Sequence, residues 1–126
     1  MKKQIENVEK FHNAFGIKNQ YQPTSSVDKD VFNLRHKLMH EENEEYLEAC
    51  HNGDLVEIAD ALGDMMYILC GTILSHGLQH RIEDIFEEIQ RSNMSKLGSD
   101  GKPIYRKDGK VMKGPNYFKP DIKKNL

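Results

Sequence analysis

The chain has no tryptophan, and phenylalanine and tyrosine together reach only 8% of its 126 residues. Any aromatic surface must therefore come from a few identifiable positions. Cysteine is nearly as scarce. Cys50 and Cys70 do not form a CxxC pair, which excludes a thiolate knuckle or a dithiol redox motif. Reduced core or near-core thiols in a cytosolic setting are expected instead. Long hydrophobic runs are missing: the charge-free apolar stretch Met65–Leu74 is too short to span a bilayer. Met1-Lys2-Lys3, followed by Gln4, Glu6 and Asn7, lacks the apolar block of a signal peptide. No P-loop, GxSxG or Rossmann fingerprint occurs, nor any repeat or low-complexity segment. These absences lead us to expect a cytoplasmic protein without a membrane partner.

What is present is charge, 30% of residues, in a chain long enough for one domain with one core. The net charge of −2 is unevenly spread. Residues 1–92 hold 9 Lys/Arg against 17 Asp/Glu, and residues 93–126 hold 9 Lys/Arg against 3 Asp. An acidic body with a basic tail either docks one on the other, or grips a polyanion through cations on one side and lysines on the other.

Apolar spacing predicts four helices. The first runs from about Lys3 to Phe15, with Ile5, Val8, Phe11 and Phe15 as its stripe, and stops at Gly16. The second runs from Asp28 to His51, its stripe opening with Val31, Leu34 and Leu38, and ends at Asn52-Gly53. The third, Asp54 to His76, is apolar nearly all round, the pattern of a helix buried on most sides. The fourth, Arg81 to Ser92, shows Ile82, Ile85, Phe86 and Ile89 on one face. Short connections between four helices predict an all-α, antiparallel four-helix bundle core over 1–92. Residues 93–126 form a basic C-terminal extension of the same domain, containing a small hairpin over 104–113 with an Asp108-Gly109 turn.

Two acid clusters stand out on that frame. At about 100° per residue, Leu38, Glu42, Glu45 and Ala49 share one face of the second helix. Glu42 and Glu45 thus continue an apolar stripe, with Glu41 at its border. On the third helix Glu57, Asp60 and Asp64 fall in a wedge of roughly 60° that Tyr67 and Gly71 extend. A short turn at Asn52-Gly53 would bring both sets to similar heights. Unpartnered carboxylates in a core are costly. Several converging there, without His or Cys, are the ligand set of a hard cation, Mg²⁺ first and Mn²⁺ as the alternative.

Glu41-Glu42-Asn43-Glu44-Glu45-Tyr46-Leu47-Glu48-Ala49 resembles the EExxE helix of the all-α nucleotide pyrophosphohydrolases, the superfamily of MazG, phosphoribosyl-ATP pyrophosphohydrolase and dimeric dUTPase. Glu57-Ile58-Ala59-Asp60 resembles its ExxD element. Ala59 to Tyr67, then Gly71-Thr72, looks most like the MazG-like subgroup close to phosphoribosyl-ATP pyrophosphohydrolase, as do Ser92-Asn93-Met94-Ser95-Lys96 and the Asp-Gly-Lys-rich tail. In one respect the chain departs from many relatives. Their ExxD ends just before the Met-Met-Tyr-like run, at Asp64 here, and the Glu position then holds Ala61.

The resemblance implies Mg²⁺-dependent hydrolysis of a nucleoside triphosphate to a monophosphate and pyrophosphate. It implies Glu42, Glu45, Asp60 and either Glu57 or Asp64 as metal ligands, and Glu41 as the residue that orients or deprotonates water. Asn93, Lys96, Lys110 and Lys113 would contact substrate, and Tyr67, Phe11 and His12 could line a base pocket. It also implies a homodimer or homotetramer, to which the apolar third helix points as well.

Two other classes fit parts of the chain. Glu9-x-x-His12 and Glu48-x-x-His51 match the i, i+3 pattern of di-iron bundles. However, Glu48 and His51 turn away from the Glu42/Glu45 face, and the pairs His36/His40 and His76/His80 lack further ligands. A non-enzymatic helical regulatory or nucleic-acid-binding module could use the tail lysines with Tyr105, Tyr117 and Phe118. The acidic body would repel nucleic acid, so no nucleic-acid partner is expected.

Overall fold

The computed structural model describes residues 1–126. The fold is all-α, with four helices: α1 (Lys2–Phe15), α2 (Lys29–His51), α3 (Leu55–Ser75) and α4 (Ile82–Met94). A 3-10 turn, Lys123–Asn125, closes the chain. All four helices expected from apolar spacing are present. The chain divides into two compact units, Met1–His80 and Arg81–Leu126.

In the first unit α3 packs against both α1 and α2, in the manner of a helical bundle. The reversal between α2 and α3 works because Gly53 supplies a left-handed residue, φ 63°. Asp54 then caps α3 by accepting the Glu57 N–H at 3.1 Å, a contact of the kind that contributes about 1 kcal/mol. The far end of α3 is satisfied by the loop after α1. Gln20 N–H donates to Leu74 C=O at 2.9 Å and Thr24 N–H to His76 C=O at 3.0 Å. Gly77, at φ 67°, lies so close to the Gln22 carbonyl that any Cβ would collide with it.

The buried faces differ from the apolar stripes. On α1 the buried set is Ile5, Val8 and His12, while Phe11 and Phe15 are exposed. His12 tolerates burial because Asn19 satisfies it. Asn19 gives its amide N–H to Asn13 and accepts from His12 Nδ1 at 2.6 Å. On α2, Val31 and Leu34 are exposed. Arg35 faces α3 instead, donating to the Thr72 hydroxyl at 3.2 Å and the Ile68 carbonyl at 3.0 Å. Gly71 leaves the room: a Cβ there would stand 2.5 Å from the Arg35 guanidinium and 2.9 Å from His12 Nε2.

The expectation that α3 is buried on most sides is corrected. Cys70, Ile73 and Leu74 are buried at its C-terminal end, but Leu55, Val56, Leu62, Met66 and Leu69 are exposed. One chain has too few helices around α3 to cover it. By length and composition α3 could cross a membrane, yet Asp60 and Asp64 near its middle would be costly there. Both cysteines are free, but only Cys70 is a core thiol; Cys50 is exposed.

In the second unit the buried face of α4 is Ile85, Glu88 and Ser92, and Phe86 and Ile89 are exposed. The C-terminal segment is tied to that polar face. Ser92 Oγ donates to the Phe118 carbonyl at 2.8 Å, and Asp121 N–H donates to Glu88 at 2.9 Å. Lys124 pairs with Glu88 at 3.2 Å, and Arg91 reaches both Glu88 and the face of Phe118. The Asp121 N–H, then Arg91 and Lys124, hold the Glu88 carboxyl down at about 2. A hollow of about 480 Å³ beside Glu88 lies between α4 and the C-terminal turn, with Glu88, Arg91 and Lys124 in its lining. The segment 104–113 forms a single antiparallel bridge, Tyr105 with Val111. Gly109, at φ 86°, serves as its turn residue.

Candidate active site

α2 and α3 bring four acids together. Glu42 on α2 is acted on by Glu45 from the next turn and by Asp64 and Asp60 from α3. Burial first, then these three neighbours, raise the Glu42 carboxyl from 4.5 to about 7. Its Oε2 is buried without any hydrogen-bond partner, an arrangement that native proteins rarely leave unexplained.

The expectation that the acids lie inside the core is corrected in part. Glu45, Glu57, Asp60 and Asp64 are exposed, and only Glu42 turns inward. The site is an open rim along the α2–α3 seam. No three His, Cys, Asp or Glu side chains stand at ligating positions around one point. The physical reason is repulsion: like charges without a counter-charge spread toward water. A hard divalent ion fits this donor set nonetheless. All the donors are oxygens, and one of them, Glu42 Oε2, is buried without a partner.

The remaining sequence-predicted residues are placed as follows. Glu41 is exposed and pairs with Lys37 at 3.9 Å. Glu57 is exposed at the α3 N-terminus, its N–H bound to Asp54, and it is not among the groups acting on Glu42. In the second unit Asn93 is exposed, and Lys96 is half-buried with its carbonyl bound to Gly114 N–H. Lys110 is exposed, its N–H on Asp108, and the Lys113 ammonium sits over the Tyr117 ring at 4.7 Å. Tyr67 and Phe11 meet edge to face, with centroids 5.6 Å apart.

Sequence reasoning overlooked Arg35. It lies two turns before Glu42 and donates across the seam to the α3 turn holding Ile68 and Thr72, one turn beyond Asp64. It thereby ties α2 to α3 on the Ile68–Thr72 side of the acids. Its only sequence signal is a cation interrupting an otherwise apolar face.

Residues 8–93 match the family model described as phosphoribosyl-ATP pyrophosphohydrolase. Among solved structures, the chain is similar to a "putative NTP pyrophosphohydrolase" from Exiguobacterium sp. 255-15, with a TM-score of 0.54 and 24% identity over 97% of this chain and 92% of that one. That likeness concerns the fold. No protein of curated function matches the chain significantly.

Proposed function

We propose that this chain, which belongs to the phosphoribosyl-ATP pyrophosphohydrolase family, is a Mg²⁺-dependent nucleoside triphosphate pyrophosphohydrolase. The observation that carries the reading is Glu42, a carboxyl with one buried, partnerless oxygen surrounded by Glu45, Asp60 and Asp64. Those four residues would hold the ion, with Glu57 the alternative on α3. Mn²⁺ would serve in place of Mg²⁺. Such an ion supplies neutralisation of phosphate charge and polarisation of the phosphoryl oxygens.

The chain's own residues supply the rest. Glu41, one residue before Glu42 and at the rim, exchanges its Lys37 contact for the attacking water and takes its proton. The water oxygen bonds to phosphorus, the oxygen bridging the α and β phosphorus atoms leaves with pyrophosphate, and the monophosphate remains. Asn93, Lys96, Lys110 and Lys113 are assigned to the substrate from sequence, their charges or amide suited to a polyphosphate nucleotide.

The exposed side chains Leu62, Met66 and Leu69 on α3 suit association of copies of the chain into a homodimer or homotetramer. The test is a screen of nucleoside triphosphates with and without Mg²⁺, with the products identified. Monophosphate and pyrophosphate should appear with wild type and fall at least about a hundredfold with Glu45→Gln. Full activity of that variant, or orthophosphate as the first product, would remove the site.

A further inference from the structure

A second feature of the α2–α3 pair has no role in the reading above. An open hollow of about 340 Å³ lies on the α2–α3 pair, lined by His36, Met39, His40, Asn43 and Met65. The two imidazoles are almost parallel, with planes 9° apart and centroids 6.4 Å apart. The spacing is produced by the helix, because positions i and i+4 share a face. Two successive ring contacts would need about 7 Å, so a planar ligand stacks on the outer face of one imidazole and not between the two.

The hollow is contiguous with the acids through the chain itself. Asn43 directly follows Glu42, and Met65 directly follows Asp64. The same two helices therefore present carboxylates on one side of these positions and a small pocket on the other. Its volume lies at the low end of the range for ligand pockets, suited to a planar ring system rather than to a whole triphosphate. Its chemistry is also selective. Two π-faces offer stacking that any base can use. Two thioether side chains supply a deformable apolar lining. Asn43 provides one amide donor and one carbonyl acceptor, the pair needed to read a heterocycle's edge.

We infer that His36, His40 and Asn43 form the nucleobase-recognition pocket of this protein, stacking the base on an imidazole face of the pair and reading its edge with the Asn43 amide. The inference rests on the proposed pyrophosphohydrolase reading for the identity of its ligand.

The test separates the two. Nucleoside 5′-monophosphates of adenine, guanine, cytosine, uracil and thymine are titrated into the full chain without metal, while the His36 and His40 ring signals are followed by NMR. Both signals should move with at least one base and stay still with ribose 5-phosphate. In the hydrolysis assay, His36→Ala/His40→Ala should raise KM roughly ten- to a hundredfold. His40→Phe, which keeps a ring, should restore most of the loss. Asn43→Ala should alter the order of preference among bases, which a purely structural role would not do.

If no base moves either signal, or if the double variant keeps wild-type KM and base preference, the pocket assignment is overturned. A chain that hydrolyses no triphosphate but still shows the histidine shifts would refute the proposed activity and leave the pocket standing.

Discussion

Replacing Glu42 by glutamine should stabilise the metal-free protein at about pH 8 and make little difference at about pH 3.5. The carboxyl is raised from 4.5 to about 7, chiefly by burial and then by Glu45, Asp64 and Asp60. In the unfolded chain the same group ionises near its ordinary value. The fold therefore favours the neutral form. That contribution is complete below about 4.5 and is lost as pH rises through about 7. The upper limit is about 3 kcal/mol, at about 1.4 kcal/mol per tenfold. Glu45, Asp60 and Asp64 are exposed, and solvent screening reduces the realised figure to about 1 kcal/mol. For a chain of this length that is about 4 °C in Tm.

Glutamine keeps the shape without the charge at every pH. Thermal unfolding of wild type and Glu42→Gln in chelator-treated buffer should show this gain near pH 8 and almost none near pH 3.5. Adding Mg²⁺ should raise the wild-type Tm at the higher pH and raise the variant's by less. A variant no more stable than wild type near pH 8, or equally stabilised at both pH values, would refute the claim that these acids crowd one another.

Three further outcomes follow from the packing. Glu88→Gln should loosen the C-terminal segment, seen as faster hydrogen exchange over residues 118–126, because the Asp121 N–H, Arg91 and Lys124 all converge on that carboxylate. With Glu88 held at about 2, wild type should show the same loosening only as pH falls from about 4.5 toward that value. Gly71→Ala should cost about 1–3 kcal/mol in denaturant unfolding, since its methyl meets the Arg35 guanidinium and His12. Leu62→Asp/Met66→Asp should shift light-scattering mass toward a single chain, because both side chains are exposed on the uncovered face of α3. Unchanged mass would place any interface elsewhere.

The helices were legible because their signals are local. Gly16 and the Asn52-Gly53 turn with Asp54 end or begin helices by backbone chemistry that needs no tertiary partner. The acid wedge was legible for the same reason: the spacing of Glu57, Asp60 and Asp64 on a helix is arithmetic. Which residues are buried was less so. His12 and Glu88 are buried, and Arg35 half-buried, where hydrophobicity assigns Phe11, Ile89 and Leu34. A polar side chain can be buried only where its partners wait, and those partners lie far along the chain, as Thr72 does for Arg35 and Asp121 for Glu88.

The order of the elements, the all-α class and the choice of acids at two helix faces were therefore determined by the one-dimensional pattern. Only the packing of α2 on α3 decided that Glu42, among those acids, turns inward with an orphaned oxygen while the others stay at the rim. It also decided that His36 and His40 stand over an open hollow on the same pair. Periodicity specifies a face, but the environment opposite that face is built by another segment. Desolvation and charge crowding, the quantities that give a carboxylate its chemistry, exist only once the two have met.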